Sequence, residues 1–288
     1  MAELISFLPG IGSLVHSYDG FIIDQWGVLH DGVKPYDGVI ECLTALRERS
    51  VPVAILTNSS KSEVMNRDRL DGLGIPASLY GPLVSTADLL KDSIVKASQS
   101  HCPRLYLLAS DTDATLFEGE DVKIVDNLDE AECVVLLSLD DETAEFPARA
   151  PWIEDAVRRG IPLHTPSADS RSVISGGRIS FGFGRVVEYY RTIGGAVCLH
   201  GKPNALCYSV SCLRMGLGKG SRIAAVGDQF DTDIIGAVRN SLDPILVETG
   251  AATQDRNGKS FCEWANDLNS RCRQIGVRSM NVLPSLRW

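Results

Sequence analysis

Four short stretches carry residue types able to do chemistry. In "FIIDQWGVLHDG" (21–32) an apolar run ends in Asp24. A carboxylate there suits a nucleophile, a metal ligand or a cap for the next turn. Gly27 permits a tight turn whose exposed backbone can offer carbonyls to a cation. In "ILTNSSKSE" (55–63), Thr57 and Asn58 close a second apolar run. The hydroxyl and exposed amides suit a phosphate at a helix N-terminus, or Ser59 or Ser60 simply caps the helix, with Ser60 to Glu63 fitting a capping box. In "LHGKPN" (199–204), Lys202 sits between Gly201 and Pro203. It is either a point charge for an anion or a solvated lysine. In "AAVGDQFDTDIIGA" (224–237), Asp228, Asp231 and Asp233 follow an apolar strand. Such an oxygen-rich loop suits Mg2+, or Asp231 or Thr232 caps the next helix.

The elements that must position these residues are legible as alternation. Aliphatic and β-branched runs at 20–24, 51–57, 104–109, 133–139, 161–165, 222–228 and 244–249 read as buried strands. Amphipathic segments lie between them. In 36–50, Val39, Leu43 and Leu46 share a face while Arg47, Glu48 and Arg49 point mostly outward. Strands alternating with helices predict an α/β fold built on a Rossmann-like parallel sheet covered on both faces. The strands with chemically capable ends lie near both chain termini. The middle has its own alternation and the acidic loops "DNLDEAE" and "LDDETAE". The expected organisation is therefore a core from 1–82 and 182–288, with an α/β cap domain inserted at 83–181. Ligands of such sheets bind beyond the carboxyl ends of strands, where Asp24, Thr57 and Asp228 are expected to converge.

Bulk properties exclude other classes. The 288 residues carry a net charge of −9 and are 44% hydrophobic, with no Lys/Arg cluster, which disfavours binding to a nucleic-acid backbone. The longest apolar runs, about five to seven residues, fall far short of the roughly 18 that span a bilayer. The first residues lack a basic leader and a small-residue cleavage site, so no signal peptide is expected. The eight cysteines are scattered, without C-x-x-C, and mostly in apolar contexts. Reduced thiols and a cytoplasmic location are expected. A homo-oligomer is compatible with the sequence.

Taken in order, "DQWGV", "LTNSS", "GKP" and "GDQFDTD" resemble the four motifs of the haloacid dehalogenase superfamily, mostly Mg2+-dependent phosphotransferases and phosphatases. "GVL", "TNSS" and "GKP" look most like subclass IIA, the branch with sugar-phosphate and nucleotide phosphatases. The resemblance implies hydrolysis of a small phosphorylated metabolite, with Asp24 as a nucleophile that becomes an aspartyl-phosphate. It places Mg2+ on Asp24, the backbone carbonyl of Trp26 and Asp228, with Asp233 supporting the metal and Lys202. Thr57, Asn58 and Ser59 would cradle the phosphate, and Lys202 would offset repulsion between Asp24 and the dianion. The junction segment "LHTPSADSRSV" (163–173) would turn Asp169 toward the substrate, with Arg171 in reach of an anion.

The departure is Trp26, standing where family phosphatases carry a second Asp as general acid and base. Indole has a single N–H donor and no basic site, and the missing proton transfer is typically worth ~10²–10⁴-fold. His30 or Asp31 could fold back to substitute. The substrate could have a leaving group that needs no proton, such as an acyl phosphate. The chain could instead be a weak catalyst that mainly binds or senses a phosphorylated ligand. Dehalogenases also lack the second Asp, but their chemistry does not require the metal-binding "GDQFDTD". The phosphonate-cleaving branch needs a cap lysine between motifs one and two, for which the roughly 30 residues from Asp24 to Thr57 leave no room.

Overall fold

In the computed structural model, the described residues are 4–97, 101–138, 151–176 and 178–288; "LDDETAE" and the end of the 133–139 run lie outside them. Seven strands form an all-parallel sheet: β1 (Ile5–Phe7), β2 (Gly20–Asp24), β3 (Val53–Thr57), β4 (Leu83–Ser85) and three that come later in the chain. A second parallel sheet contains β5 (Arg104–Leu108), β6 (Lys123–Val125), β7 (Cys133–Leu136) and β8 (Leu163–Thr165). An antiparallel hairpin follows, β9 (Arg171–Ile174) and β10 (Arg178–Phe181), and β11 (Val197–Leu199) completes the second sheet. The last three strands, β12 (Ile223–Gly227), β13 (Asp243–Val247) and β14 (Met280–Leu283), return to the first sheet.

The orders are β1-β14-β13-β12-β2-β3-β4 and β11-β8-β7-β5-β6. The predicted α/β class, with a Rossmann-like core sheet and a second α/β unit, is therefore what the chain adopts. The sheets change hands at different residues from those expected. Leu83–Ser85 is the edge strand of the larger sheet, whereas Val197–Leu199, after the helix Gly184–Thr192, belongs to the smaller. Three-residue strands carry too little pattern to reveal which sheet they join, and only pairing decides it.

Burial explains the central strands. All five residues of β2, β3 and β12 are buried, as a sheet covered on both faces requires. Side chains alternate between two cores. Phe21, Ile23 and Ile55 pack on α1 (Val39–Glu48) through Val39, Leu43 and Leu46. Ile22, Ala54 and Leu56 pack on Cys207 and Tyr208 of the helix Ala205–Arg214. Each large side chain so buried contributes roughly 1.5–3 kcal/mol. All eight cysteines are free, four of them buried. Among the described residues no helix is long and apolar enough to cross a membrane.

Candidate active site at the strand ends

Register brings the polar strand ends together. Asp24 pairs with Leu56, one residue before Thr57, and Ile23 pairs with Val226, two residues before Asp228. The convergence expected from the sequence is thus produced by β12, β2 and β3 being neighbours. Lys202 arrives from the turn after β11. Its ammonium lies 2.6 Å from Asp24 Oδ1 and 2.8 Å from Asp233 Oδ1, all three groups buried. Asp233 Oδ2 accepts from Gln229 N at 3.0 Å, so Asp233 ties its own loop while holding the lysine. Neither Asp231 nor Thr232 caps that loop. Asp231 instead pairs with Arg271 at 3.0 Å, outside the site.

Asp24, Asp228 and Asp233 offer oxygens that all lie within 4.8 Å of one another. Three buried carboxylates facing one ammonium leave negative charge uncompensated, which a low-dielectric site does not tolerate. The titration of the carboxyls reflects this. Burial pushes Asp24 up to about 7 against the opposing pull of Lys202. Burial, with Asp24 and Asp233 beside it, holds Asp228 well above the carboxylate range. Lys202 is drawn down by burial, but Asp233 and Asp24 outweigh that and keep it charged. Asp228 Oδ2 accepts from Ala251 N at 2.6 Å, while its Oδ1 is buried without a partner among the described residues. An orphaned buried carboxylate oxygen beside two further carboxylates is the hard, all-oxygen donor set that suits Mg2+. Gly27 and Gly250, both at positive φ, lie against Asp228, where any Cβ would overlap its carboxylate. Thr249 Oγ1 donates to Gly27 O at 2.6 Å and pins the motif-one loop.

The phosphate-side residues form one joint. Thr57 Oγ1 accepts from Ser59 N at 3.3 Å, and Ser59 Oγ accepts from Lys61 N at 3.1 Å. The expected capping box at Ser60 is not formed. Ser62 caps α2 (Glu63–Gly72) by accepting from Met65 N at 3.3 Å. Ser60 instead donates to Asp113 of the second unit at 3.2 Å, and Lys61 pairs with the same buried carboxylate. Asn58 faces two ways, its Oδ1 accepting from Lys202 N at 2.8 Å and its Nδ2 donating to Asp169 Oδ2 at 3.1 Å. Gly201 is required here, because a Cβ would overlap Pro166 O and the Asn58 amide oxygen. Asp169 is also held by Ser167 Oγ at 2.9 Å, and burial raises its titration above the usual carboxylate range. Arg171 is spoken for, pairing with Asp255 at 2.7 Å.

The two substitute acids sit differently. His30 is fully buried. Its Nδ1 accepts from Gly32 N at 3.0 Å, and its Nε2 lies 3.2 Å from the Gln25 amide. Burial, then the nearby Arg69 charge, lowers it to about 4, so the ring is neutral. Asp31 Oδ1 accepts from Val33 N and Lys34 N at 2.8 Å each. Slight burial raises it, but those bonds prevail and hold it below the usual range. Both residues fasten their own loop rather than joining the strand-end cluster. An acid that must carry a proton is poorly served by either. Asp113, Thr249 and Arg69 had no signal in the sequence, because their partners are distant in the chain.

Comparison with known proteins agrees with this geometry. A family described as haloacid dehalogenase-like hydrolase matches residues 21–123, and a second, described as HAD-hydrolase-like, matches 199–267. An acid sugar phosphatase of Staphylococcus epidermidis is 26% identical over 243 residues, covering 83% of this chain and 89% of that protein. A haloacid dehalogenase-like family hydrolase from Brucella suis superposes with a TM-score of 0.80 at 25% identity, over 97% of this chain and 99% of that one. A glycerol phosphate phosphatase from Mycobacterium tuberculosis, solved with magnesium, shares the fold with a TM-score of 0.64 at 21% identity, covering 88% and 74%. With the two family matches spanning more than half its length and bracketing the four motifs, this chain is a haloacid dehalogenase-like hydrolase of the IIA-like kind.

Proposed function

We propose that the chain is a Mg2+-dependent hydrolase of small phosphate esters in which Asp24 is the nucleophile. The observation that carries this reading is the buried arrangement at the strand ends: Lys202 held between Asp24 and Asp233, with Asp228 in reach of both. Asp24, Asp228 and the main-chain carbonyl of Trp26 would hold the ion, and Asp233 would hold Lys202 beside it. When bound, the cation supplies positive charge at the phosphate oxygens. Lys202 favours the ionised form of Asp24 and aims it, leaving its Oδ2 for attack on phosphorus. Thr57, the Asn58 region and Ser59 receive the phosphate, and the Thr57 hydroxyl is free to donate to it. Attack forms an aspartyl-phosphate as the bond to the leaving oxygen breaks, and water then releases phosphate. The names of relatives, acid sugar phosphatase and glycerol phosphate phosphatase, support a small phosphorylated substrate. The smaller parallel sheet, from about Thr86 to Leu199 together with the β9–β10 hairpin, would act as the cap.

Turnover of a panel of phosphate esters with and without Mg2+, in wild type, Asp24→Asn and Trp26→Asp, tests the reading. Asp24→Asn should lose more than roughly 10³-fold, and activity surviving in it would sink the assignment of the nucleophile. A second reading is favoured by one observation: Trp26 has no basic site with which to exchange a proton and His30 and Asp31 are tied into their own loop, so none of the three motif-one residues serves as proton donor. It makes the protein a binder of phosphorylated ligands with little turnover. Absence of Mg2+-dependent turnover in wild type, with gain in Trp26→Asp, would establish it.

A further inference from the structure

The indole of Trp26 is half-buried and points into the seam between the two units. Its six-membered ring lies against Gly32, which has φ of 91°; a Cβ there would come 2.5 Å from Trp26 Cζ3 and 3.1 Å from Ser175 Cα. Ser175 belongs to the β9–β10 turn, so the hairpin and the motif-one loop meet at this glycine. His30 abuts the indole edge-on, with centroids 4.6 Å apart at 67°. The guanidinium of Arg69, from α2, lies 5.0 Å from the indole centroid. Arg69 makes no ion pair and no side-chain hydrogen bond among the described residues. His30, its neighbour, is an imidazole and brings no negative charge to it. Nearby Asp31 spends Oδ1 on its own turn.

A cation in the last turn of a helix is favourable by itself, and stacking on Trp26 adds about 0.5–1 kcal/mol. Neither uses the five N–H donors of the guanidinium, which are shaped for a bidentate carboxylate or phosphate. Trp26 follows Asp24 by two residues, so the motif-one loop carries its ring, and the Arg69 guanidinium stacked on it, close to the strand-end cluster. We propose that Trp26 and Arg69 form a recognition surface for the leaving part of the substrate, which carries a second anionic group, a carboxylate, for Arg69. The substrate class is then a small phosphorylated acid, charged at both ends. Arg69 determines specificity; the bond made and the bond broken remain those at phosphorus. The inference rests on the hydrolase reading above and deepens it.

The test compares 4-carboxyphenyl phosphate with the phosphate of its methyl ester, at saturating Mg2+. Both are aryl esters that leave without a proton donor, and they differ in the distal charge. Wild type should prefer the carboxylate by roughly 10- to 100-fold in kcat/KM, expressed mostly in KM. Arg69→Met, which keeps bulk over the indole, should erase that preference, bringing kcat/KM for the two esters within about twofold of each other. Arg69→Lys should restore part of it. A preference that survives Arg69→Met, or a wild type indifferent to the carboxylate, overturns the proposal and leaves the hydrolase reading intact. Without turnover of either ester the hydrolase reading falls, and calorimetric binding of the two esters to wild type and Arg69→Met decides the role of Arg69. A carboxylate preference lost with the guanidinium then supports it; equal binding overturns it.

Discussion

The strand-end cluster and the Trp26–Arg69 surface share the motif-one loop, yet they are built on opposite terms. Around Asp24 the polar groups are buried and mostly paired, and the ends of β2, β3 and β12 set the carboxylates in place. Around Trp26 the contacts are aromatic and half-exposed, and among the described residues the Arg69 charge makes no ion pair. A rigid site suits chemistry, since reacting atoms need placement that a loop cannot hold. A surface of loop and helix side chains can be altered without disturbing the sheet, so it suits the choice of substrate.

The comparison can be broken, beginning with the largest effect. Replacing Lys202 by Met leaves Asp24 and Asp233 facing each other, buried and without a cation. Loss of one partner from a buried pair costs about 3–5 kcal/mol. Urea unfolding should show a loss of that size, against little change for the half-exposed Arg69→Met. Equal losses for the two variants would erase the distinction.

Next is the response to metal and pH. Asp24 has a folded pKa raised by burial to about 7, above its unfolded value. The stability this contributes is present at low pH and is lost as pH rises through about 7, when the carboxyl must ionise in the fold. Asp228 is shifted in the same direction. The metal-free protein should therefore weaken from pH 5 to pH 8, while Mg2+ should raise the melting temperature more at pH 8 than at pH 5. A ligand at 100 times its Kd stabilises by about 2.7 kcal/mol. A Mg2+ effect that shrinks with rising pH would refute the assignment of the carboxylates as its site.

The smallest effect concerns His30. Its ring is neutral above about pH 4, because burial and Arg69 disfavour the charged form. His30→Asn should keep the pH–rate profile between pH 5 and 8 and cost about 1–3 kcal/mol for the buried bonds disturbed. Disappearance of one limb of the profile would instead return His30 to the role of proton donor.

What the sequence disclosed divides along the same line. β2, β3 and β12 are long, wholly apolar and end in Asp24, Thr57 and Gly227-Asp228, so pattern alone located them to within two residues. Strands of three residues, such as Ile5–Phe7, Leu83–Ser85 and Val197–Leu199, are defined by pairing and carry no period to detect. In "SSKSE" three serines compete for one cap, and what selects Ser62 includes the Asp113 carboxylate that engages Ser60 from the other unit. Trp26 was legible as a departure from a motif. Arg69 was not, because a helix residue 43 positions away becomes its neighbour only through folding.

The two-faced amide of Asn58 has a consequence for modularity. It joins the backbone of Lys202 to the carboxylate of Asp169, 111 residues further along the chain than Asn58 itself. A second unit grafted from a relative would inherit its helices and sheet intact, yet would leave that amide only its long 3.4 Å bond to Lys202 O unless it brought an acceptor at the place of Asp169. The domains are exchangeable as folds, and this one side chain makes them a matched pair as an instrument.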